Sequence, residues 1–278
     1  IAEKHYLSYF LITWDFTSYA RSKGYFYVGR GSGANSIVAY LLRITDVDPL
    51  ELDLYFERFI NLYRKNPPDF DIDFSWKDRD DIVRYLFERY PHTAWLCTYN
   101  TFQYRATIRE LGKVFGLPKS EIDILSSGKF QFDKLDQFSR LVLRYSKYIQ
   151  GLPSHLSVHS GGIVISERPM TWYSATFLPP KGYPTTQFSM MEAEDVGLYK
   201  FDILSQRGLG KIAECLDIIA YNQRDVVPHD IHDIAFFKQD KKIEDMLLHA
   251  KALGCFYVES PAMRMLMLKL NVRTYLEL

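Results

Sequence analysis

The sequence predicts an α+β fold, a mixed sheet flanked by helices, and three observations point to it. Two segments alternate charged or polar residues with apolar ones at a period of two. They are Pro68-Asp69-Phe70-Asp71-Ile72-Asp73-Phe74 and Gly197-Leu198-Tyr199-Lys200-Phe201-Asp202-Ile203-Leu204, and each reads as a strand. Apolar residues recur at helical spacing over 5–23, 78–90 and 104–115. Breaks at Gly24, Gly116-Leu117-Pro118 and Gly151-Leu152-Pro153 separate these stretches.

At 278 residues the chain has room for two or three compact units. Its 34 basic and 34 acidic residues cancel, so no global basic field announces a polyanionic partner, although a basic groove can sit on a neutral protein. Cys97, Cys215 and Cys255 are isolated and lack metal-ligand spacing, which fits a reducing cytosol. No apolar run approaches a membrane span and no signal peptide leads the chain, so no membrane partner is expected. The first residue is Ile1 within a helical pattern, and the chain is expected to be a segment of a longer protein.

In the first helix, Tyr6, Phe10, Leu11, Trp14, Phe16 and Tyr19 make the expected apolar stripe, and Gly24 closes it. A short strand at 25–28 then runs into Gly29-Arg30-Gly31-Ser32-Gly33-Ala34-Asn35-Ser36, and an apolar helical run resumes at Ile37. A strand, a Gly-rich turn and a helix start can cradle phosphate, because backbone N–H groups converge where the helix dipole favours an anion. Arg30 adds a charged fork, and Ser32 can cap the helix or donate to a phosphate oxygen. The turn lacks the Lys of a Walker A loop and the spaced glycines of a dinucleotide fingerprint, so a tight turn without a ligand stays open. Residues 44–54 read as an acid-rich turn, with Asp46-Val47-Asp48-Pro49 opening a helix that continues through 56–60, and Asn66-Pro67-Pro68 breaks regular structure.

On a strand, Asp69, Asp71 and Asp73 share one face while Phe70, Ile72 and Phe74 bury the other. Three crowded carboxylates repel one another, and a hard divalent cation resolves the conflict. An EF-hand loop is excluded because its sixth position, Phe74 here, must be Gly. A solvated acidic edge strand is the plain alternative. The later strand sets Lys200, Asp202 and Leu204 on one face, and a buried Asp202 needs a partner. The same metal ions are candidates, with Lys200 beside them as a phosphate ligand.

Between these strands, a helix over 104–115 carries Arg105, Arg109 and Lys113, and 119–124 and 132–149 read as further helices. Such a basic insertion could grip a duplex through its phosphates, although solvated helix faces account for the same charges. His155 and His159 lack a third metal ligand, and a phosphate or base contact by His159 fits better. His229 and His232 read as surface or capping residues rather than a zinc pair.

A Gly-Ser turn, paired strand aspartates and a later strand Asp form the layout of a nucleotidyltransferase core. The residues also resemble the catalytic α subunit of bacterial DNA polymerase III, the C-family of DNA polymerases. The matching pieces are GRGSGANSIVAYLLRITDVDPL (29–50), FERFIN (56–61), PDFDIDF (68–74), ATIRELGKVFGLP (106–118), LPSHLSVHSGGIVIS (152–166), GLYKFDIL (197–204) and GCFYVESPAMRMLM (254–267), in the family's order.

This resemblance implies a polymerase-β-like nucleotidyltransferase palm at 1–92 and 154–219, an inserted helical thumb at 93–153, and the start of the fingers at 220–278. It implies that Asp69, Asp71 and Asp202 are catalytic and bind two Mg²⁺ ions, for which Mn²⁺ can substitute, with Asp73 a further candidate ligand. Gly29, Arg30, Gly31, Ser32, Lys200 and His159 would bind nucleotide, and Arg105, Arg109 and Lys113 would bind DNA. The implied partners are dNTP, primer-template DNA and, in the longer protein, the sliding clamp and other replisome subunits, in a bacterial cytoplasm. Asn35, Ser205-Gln206 and a short thumb depart from the family pattern, and GCFYVESPAMR leans toward its error-prone branch. A catalytically silent DNA-binding palm and a non-templated nucleotidyltransferase are the alternatives. The segment alone is expected to polymerise weakly or not at all.

Overall fold

The computed structural model describes residues 1–64, 67–225 and 230–278, so Asn66 and His229 lie outside the described residues. In chain order it contains α1 (Leu7–Ser22), β1 (Tyr27–Arg30), α2 (Ile37–Leu41), α3 (Phe56–Phe59), β2 (Asp71–Ser75) and α4 (Arg79–Arg89). Next come β3 (Thr93–Thr101), α5 (Tyr104–Val114), α6 (Lys119–Ser127), α7 (Gln137–Ile149), β4 (Pro153–Ile165), β5 (Thr176–Phe177), β6 (Thr185–Thr186) and α8 (Met190–Asp195). Then β7 (Lys200–Gln206) leads into α9 (Arg207–Asn222), α10 (Ile234–Lys238), α11 (Lys241–Leu248) and α12 (Pro261–Leu270). The class is α+β with mixed strand pairing, and among the described residues no helix is long and apolar enough to cross a membrane.

Two compact units divide the chain: Ile1–Thr93, Ser160–Ile165 and Tyr199–Leu278 form the first, and Ala94–His159 with Ser166–Leu198 form the second. Residues 166–198 thus group with the inserted helices, and 220–278 group with the aspartate strands.

In the first unit the strand order is β1-β2-β7-β4. β2 pairs antiparallel with β1 and parallel with β7, so it is an interior strand and the solvated-edge alternative fails. Its alternation buries Phe70, Ile72 and Phe74 on one face, and β7 adds Phe201 and Ile203. Helix α1 covers this apolar face with Tyr9, Phe10, Thr13, Phe16, Thr17 and Ala20. The buried stripe is rotated from the expected one, because Leu11 and Trp14 are 53% and 41% exposed and Tyr9 takes the inward place. Buried hydroxyls on α1 stay satisfied by bonding back four residues, Thr13 Oγ1 to Tyr9 O at 2.8 Å and Thr17 Oγ1 to Thr13 O at 2.9 Å.

Tyr9 does more than fill space. Its hydroxyl accepts from the Phe70 amide at 3.2 Å and donates to the Lys200 carbonyl at 3.1 Å. Those groups lie at the leading ends of β2 and β7, so one buried phenol joins the two strands where they enter the sheet. Burial pushes the phenol pKa well above its ordinary value, which keeps it a neutral donor.

Residues 44–54 form the expected acid-rich turn, in which Asp48 Oδ1 accepts from the Leu50 amide at 2.9 Å, while the helix expected to open at Asp46 is confined to Phe56–Phe59. Near the C-terminus, Leu247, Ala250, Met267 and Val272 form a small core with Ile243 and Val258 packed against it.

The second unit is built on a local helical core. Ile108, Leu111, Leu125 and Val142 bury the facing stripes of α5, α6 and α7. Gly112 permits close packing, since a Cβ there would fall 2.6 Å from Ile122 Cγ1. Strands β4, β3, β6 and β5 follow in that order, with β3 parallel to β6 through Trp95↔Thr185.

Replacing Tyr9 with Phe leaves the ring but strands the Phe70 amide and the Lys200 carbonyl. We expect urea denaturation to show a loss of roughly 1–3 kcal/mol, the cost of buried polar groups without partners. An unchanged midpoint would mean that the two strand ends are satisfied by other means.

Candidate active site

The parallel register of β2 on β7 places Asp71 directly beside Asp202. Neighbouring strands lie about 4.8 Å apart, so the two side chains emerge together on the face opposite the apolar core. Gly162 is registered across from Asp202 on its other side and adds no side chain to crowd that face. Asp69 precedes β2 by two residues and extends the same row, with a side chain 55% exposed.

Each of these acids already has a counterpart. Arg30 Nη1 pairs with Asp71 at 2.9 Å, and Lys200 Nζ pairs with Asp202 at 2.6 Å. Asp69 accepts from Ser32 Oγ and, at 3.3 Å, from the Ser32 amide, while Arg64 Nη2 reaches it at 3.4 Å. The electrostatic consequences differ between the acids. Burial works against ionisation of Asp69, but the Ser32 and backbone hydrogen bonds and the Arg64 charge outweigh it and hold its pKa low. Asp71 is pushed upward by burial and by the charges of Asp202 and Asp69, against the opposing pull of Arg30. Asp202 is buried, and its Oδ1 has no hydrogen-bond partner among the described residues.

Asp73 differs from the other three. It is only 3% exposed, and its Oδ2 accepts from Arg30 Nε at 2.6 Å and from the Tyr257 hydroxyl. That burial and pairing suit an anchor for Arg30.

The Gly-rich turn is shaped by the aspartate segment itself. Gly31 has φ +94, and a Cβ there would fall 2.5 Å from the Asp69 carbonyl oxygen. At Gly33 a Cβ would lie 2.3 Å from Phe70 Cε1, so the turn rests on the Phe70 ring. The Gly33 amide donates to Asp69 O at 2.9 Å, and Gly29 packs against the Ile44 carbonyl. The amides of Ser32 and Gly33 are therefore spent on Asp69, and Arg30, Arg64 and Lys200 are the cations beside the acids. Ser32 opens a single 3₁₀ turn, and it is Ser36 that caps α2, accepting from the Ala39 amide at 3.4 Å.

The remaining expected residues belong to the second unit. His155 and His159 lie four residues apart on strand β4. Arg105, Arg109 and Lys113 form an exposed row on α5, with Arg109 facing Asp123 at 3.5 Å and Lys113 facing Glu110 at 2.6 Å. In the first unit, exposed His232 faces Asp46 at 3.5 Å.

The donor set suits a hard cation: crowded carboxylate oxygens, one of them buried and unpartnered. Yet among the described residues no group of three or more His, Cys, Asp or Glu side chains stands assembled to hold a metal. Arg30, Arg64 and Lys200 each pair with one of these acids instead.

Residues 1–205 match the family described as the bacterial DNA polymerase III alpha NTPase domain. The chain belongs to the bacterial DNA polymerase III alpha family. The error-prone DNA polymerase of Symbiobacterium thermophilum is 36% identical over 96% of the chain, and the DNA polymerase III subunit alpha of Bacillus subtilis is 35% identical over 98%. The DNA polymerase III subunit alpha of Ureaplasma parvum is 34% identical, again over 98% of the chain. The chain spans 26% of the length of the first two relatives and 29% of the third.

Two departures from the polymerase III alpha pattern have structural explanations. Gln206 caps α9, accepting from the Gly208 amide at 3.2 Å, and Asn35 ties the Gly-rich turn to the Tyr55 carbonyl at 3.3 Å. Sequence reasoning did not single out Arg64 or Tyr9, since neither belongs to a periodic acidic or glycine pattern, and it gave Tyr257 no role of its own.

Gly33→Ala tests the fit of turn to strand. Alanine is tolerated by the backbone but would drive a methyl into the buried Phe70 ring, for an expected loss of roughly 1–3 kcal/mol. A stability measured by urea denaturation that equals the wild-type value would show that the ring yields freely.

Proposed function

We propose that the chain is the catalytic part of a DNA-directed DNA polymerase, with Asp69, Asp71 and Asp202 as the metal-binding acids of a palm of the nucleotidyltransferase type. The observation that carries this reading is the registered Asp71–Asp202 pair with Arg30 and Lys200 attached. The family match supports DNA synthesis as the setting. On this reading the α5 row of Arg105, Arg109 and Lys113 is a thumb surface that meets the DNA backbone, His159 lies toward nucleotide, and the residues beyond α9 begin the fingers. The sliding clamp and other replisome subunits are partners of the longer protein.

In the proposed reaction the primer 3′-hydroxyl oxygen forms a bond to the α-phosphorus of a dNTP. The bond to pyrophosphate breaks and pyrophosphate leaves, and the hydroxyl proton passes to solvent water. Asp69, Asp71 and Asp202 would hold Mg²⁺, which when bound lowers the pKa of the attacking hydroxyl and offsets charge on the phosphates. The chain's own residues hold the acids on adjoining strands and exclude water from one side of them. They also supply cations next to the site, Arg30 and Lys200 among them. Arg30 can fork onto a triphosphate, and Lys200 provides a compact point charge.

One observation favours a second reading, a silent DNA-binding palm: the acids are paired internally and no metal cluster stands assembled among the described residues. Cation binding separates the two. In the full-length enzyme, Asp71→Asn and Asp202→Asn are expected to abolish primer extension while the circular dichroism spectrum is unchanged. Mg²⁺ or Mn²⁺ should raise the thermal midpoint of the wild type but not of Asp71→Asn. Without added metal, Asp71→Asn should melt no lower than wild type, because burial, with the charges of Asp202 and Asp69, opposes ionisation of Asp71 more than Arg30 favours it. Retained nucleotide incorporation in either variant overturns the assignment.

A further inference from the structure

The turn at 254–258 is fixed at three consecutive side chains. Phe256 occupies the space left by Gly208 at the start of α9, where a Cβ would fall 2.2 Å from the ring. Tyr257 gives its hydroxyl to Asp73, and Val258 packs against the Leu247–Met267 core of α11 and α12. Tyr257 also has φ +71, a conformation that a bulky side chain keeps only where its surroundings over-determine it. The turn is therefore a strap that ties the C-terminal helices to the strand bearing the acids.

The strap ends on a shared oxygen. Asp73 Oδ2 accepts both the Tyr257 hydroxyl and Arg30 Nε, and Arg30 Nη1 continues to Asp71. We propose that Tyr257 is a positioning residue for the nucleotide site, fixing Asp73 so that Arg30, held through Nε and Nη1, presents its remaining Nη2 to the incoming polyphosphate. This rests on the reading of Arg30 as a phosphate ligand.

The physical reason lies in the chemistry of the groups. An arginine side chain is long, and its ordering entropy counts against every ligand it must meet. Two nitrogens pinned to Asp73 and Asp71 remove that entropy before the ligand arrives. Asp73 can do this only if its own rotamer is locked, and a second donor on the oxygen that Arg30 uses helps to lock it. Tyr257 is that second donor. Burial and the neighbouring Asp73 charge push its pKa up to about 12, so it stays protonated and donating at neutral pH.

The test is a double-mutant cycle in the full-length polymerase, with steady-state kinetics for dNTP on a primed template. Tyr257→Phe keeps the ring and removes the donor, and its thermal midpoint is checked beside the wild type. We expect dNTP KM to rise roughly three- to tenfold, the scale of one net hydrogen bond, with kcat little changed. In an Arg30→Ala background the same substitution should add nothing. Two results overturn the proposal alone: Arg30→Ala raises KM but Tyr257→Phe does not, or Tyr257→Phe acts equally with and without Arg30. If Arg30→Ala itself leaves KM unchanged, Arg30 is no phosphate ligand, and that part of the functional reading falls with the proposal.

Discussion

Setting Asp71 and Asp202 side by side on parallel strands is electrostatically costly, and much of the first unit compensates for it. Two unit charges a few ångströms apart at a protein surface repel by several kcal/mol at an effective dielectric of about 20. Beneath them the same strands bury Phe70, Ile72, Phe74, Phe201 and Ile203, which outweighs the repulsion through apolar area removed from water. Above them Arg30 and Lys200 neutralise what remains. Tyr9 holds the two strands at their leading ends, where any slip in register would separate the acids.

The period-two pattern was readable because side-chain alternation along a strand is a local property of the backbone. It put the acids on one face and the aromatics on the other, and both faces are as expected. Pairing is not local, so nothing in either segment told that β2 would lie between β1 and β7, or that Asp71 rather than Asp69 or Asp73 would meet Asp202. Asp73 shows the limit clearly. By alternation it matches its neighbours, but Arg30 and a tyrosine from the far end of the sequence make it a buried anchor.

The glycines carried a related ambiguity. A Gly-rich turn before a helix signals either a phosphate or a close backbone approach, and the two leave the same letters in a sequence. Here the Asp69 carbonyl and the Phe70 ring account for Gly31 and Gly33. The inserted helices were easier to read, because Ile108, Leu111, Leu125 and Val142 sit on nearby stripes and pack within a short stretch of chain. The grouping of residues 166–198 with them depends on distant pairings such as Trp95↔Thr185 and had no such signature.

That difference in range has a kinetic side. The α5–α7 core closes on local contacts and can form early, whereas β2 must wait for β7, its parallel partner, to be made. During that wait β2 is an aromatic-rich strand with an unpaired edge, the kind of segment that seeds aggregation. Its alternating carboxylates keep the nascent strand hydrated and discourage copies of it from stacking, as gatekeeper charges do. The acids proposed for chemistry in the finished protein thus also guard the chain while it is being made.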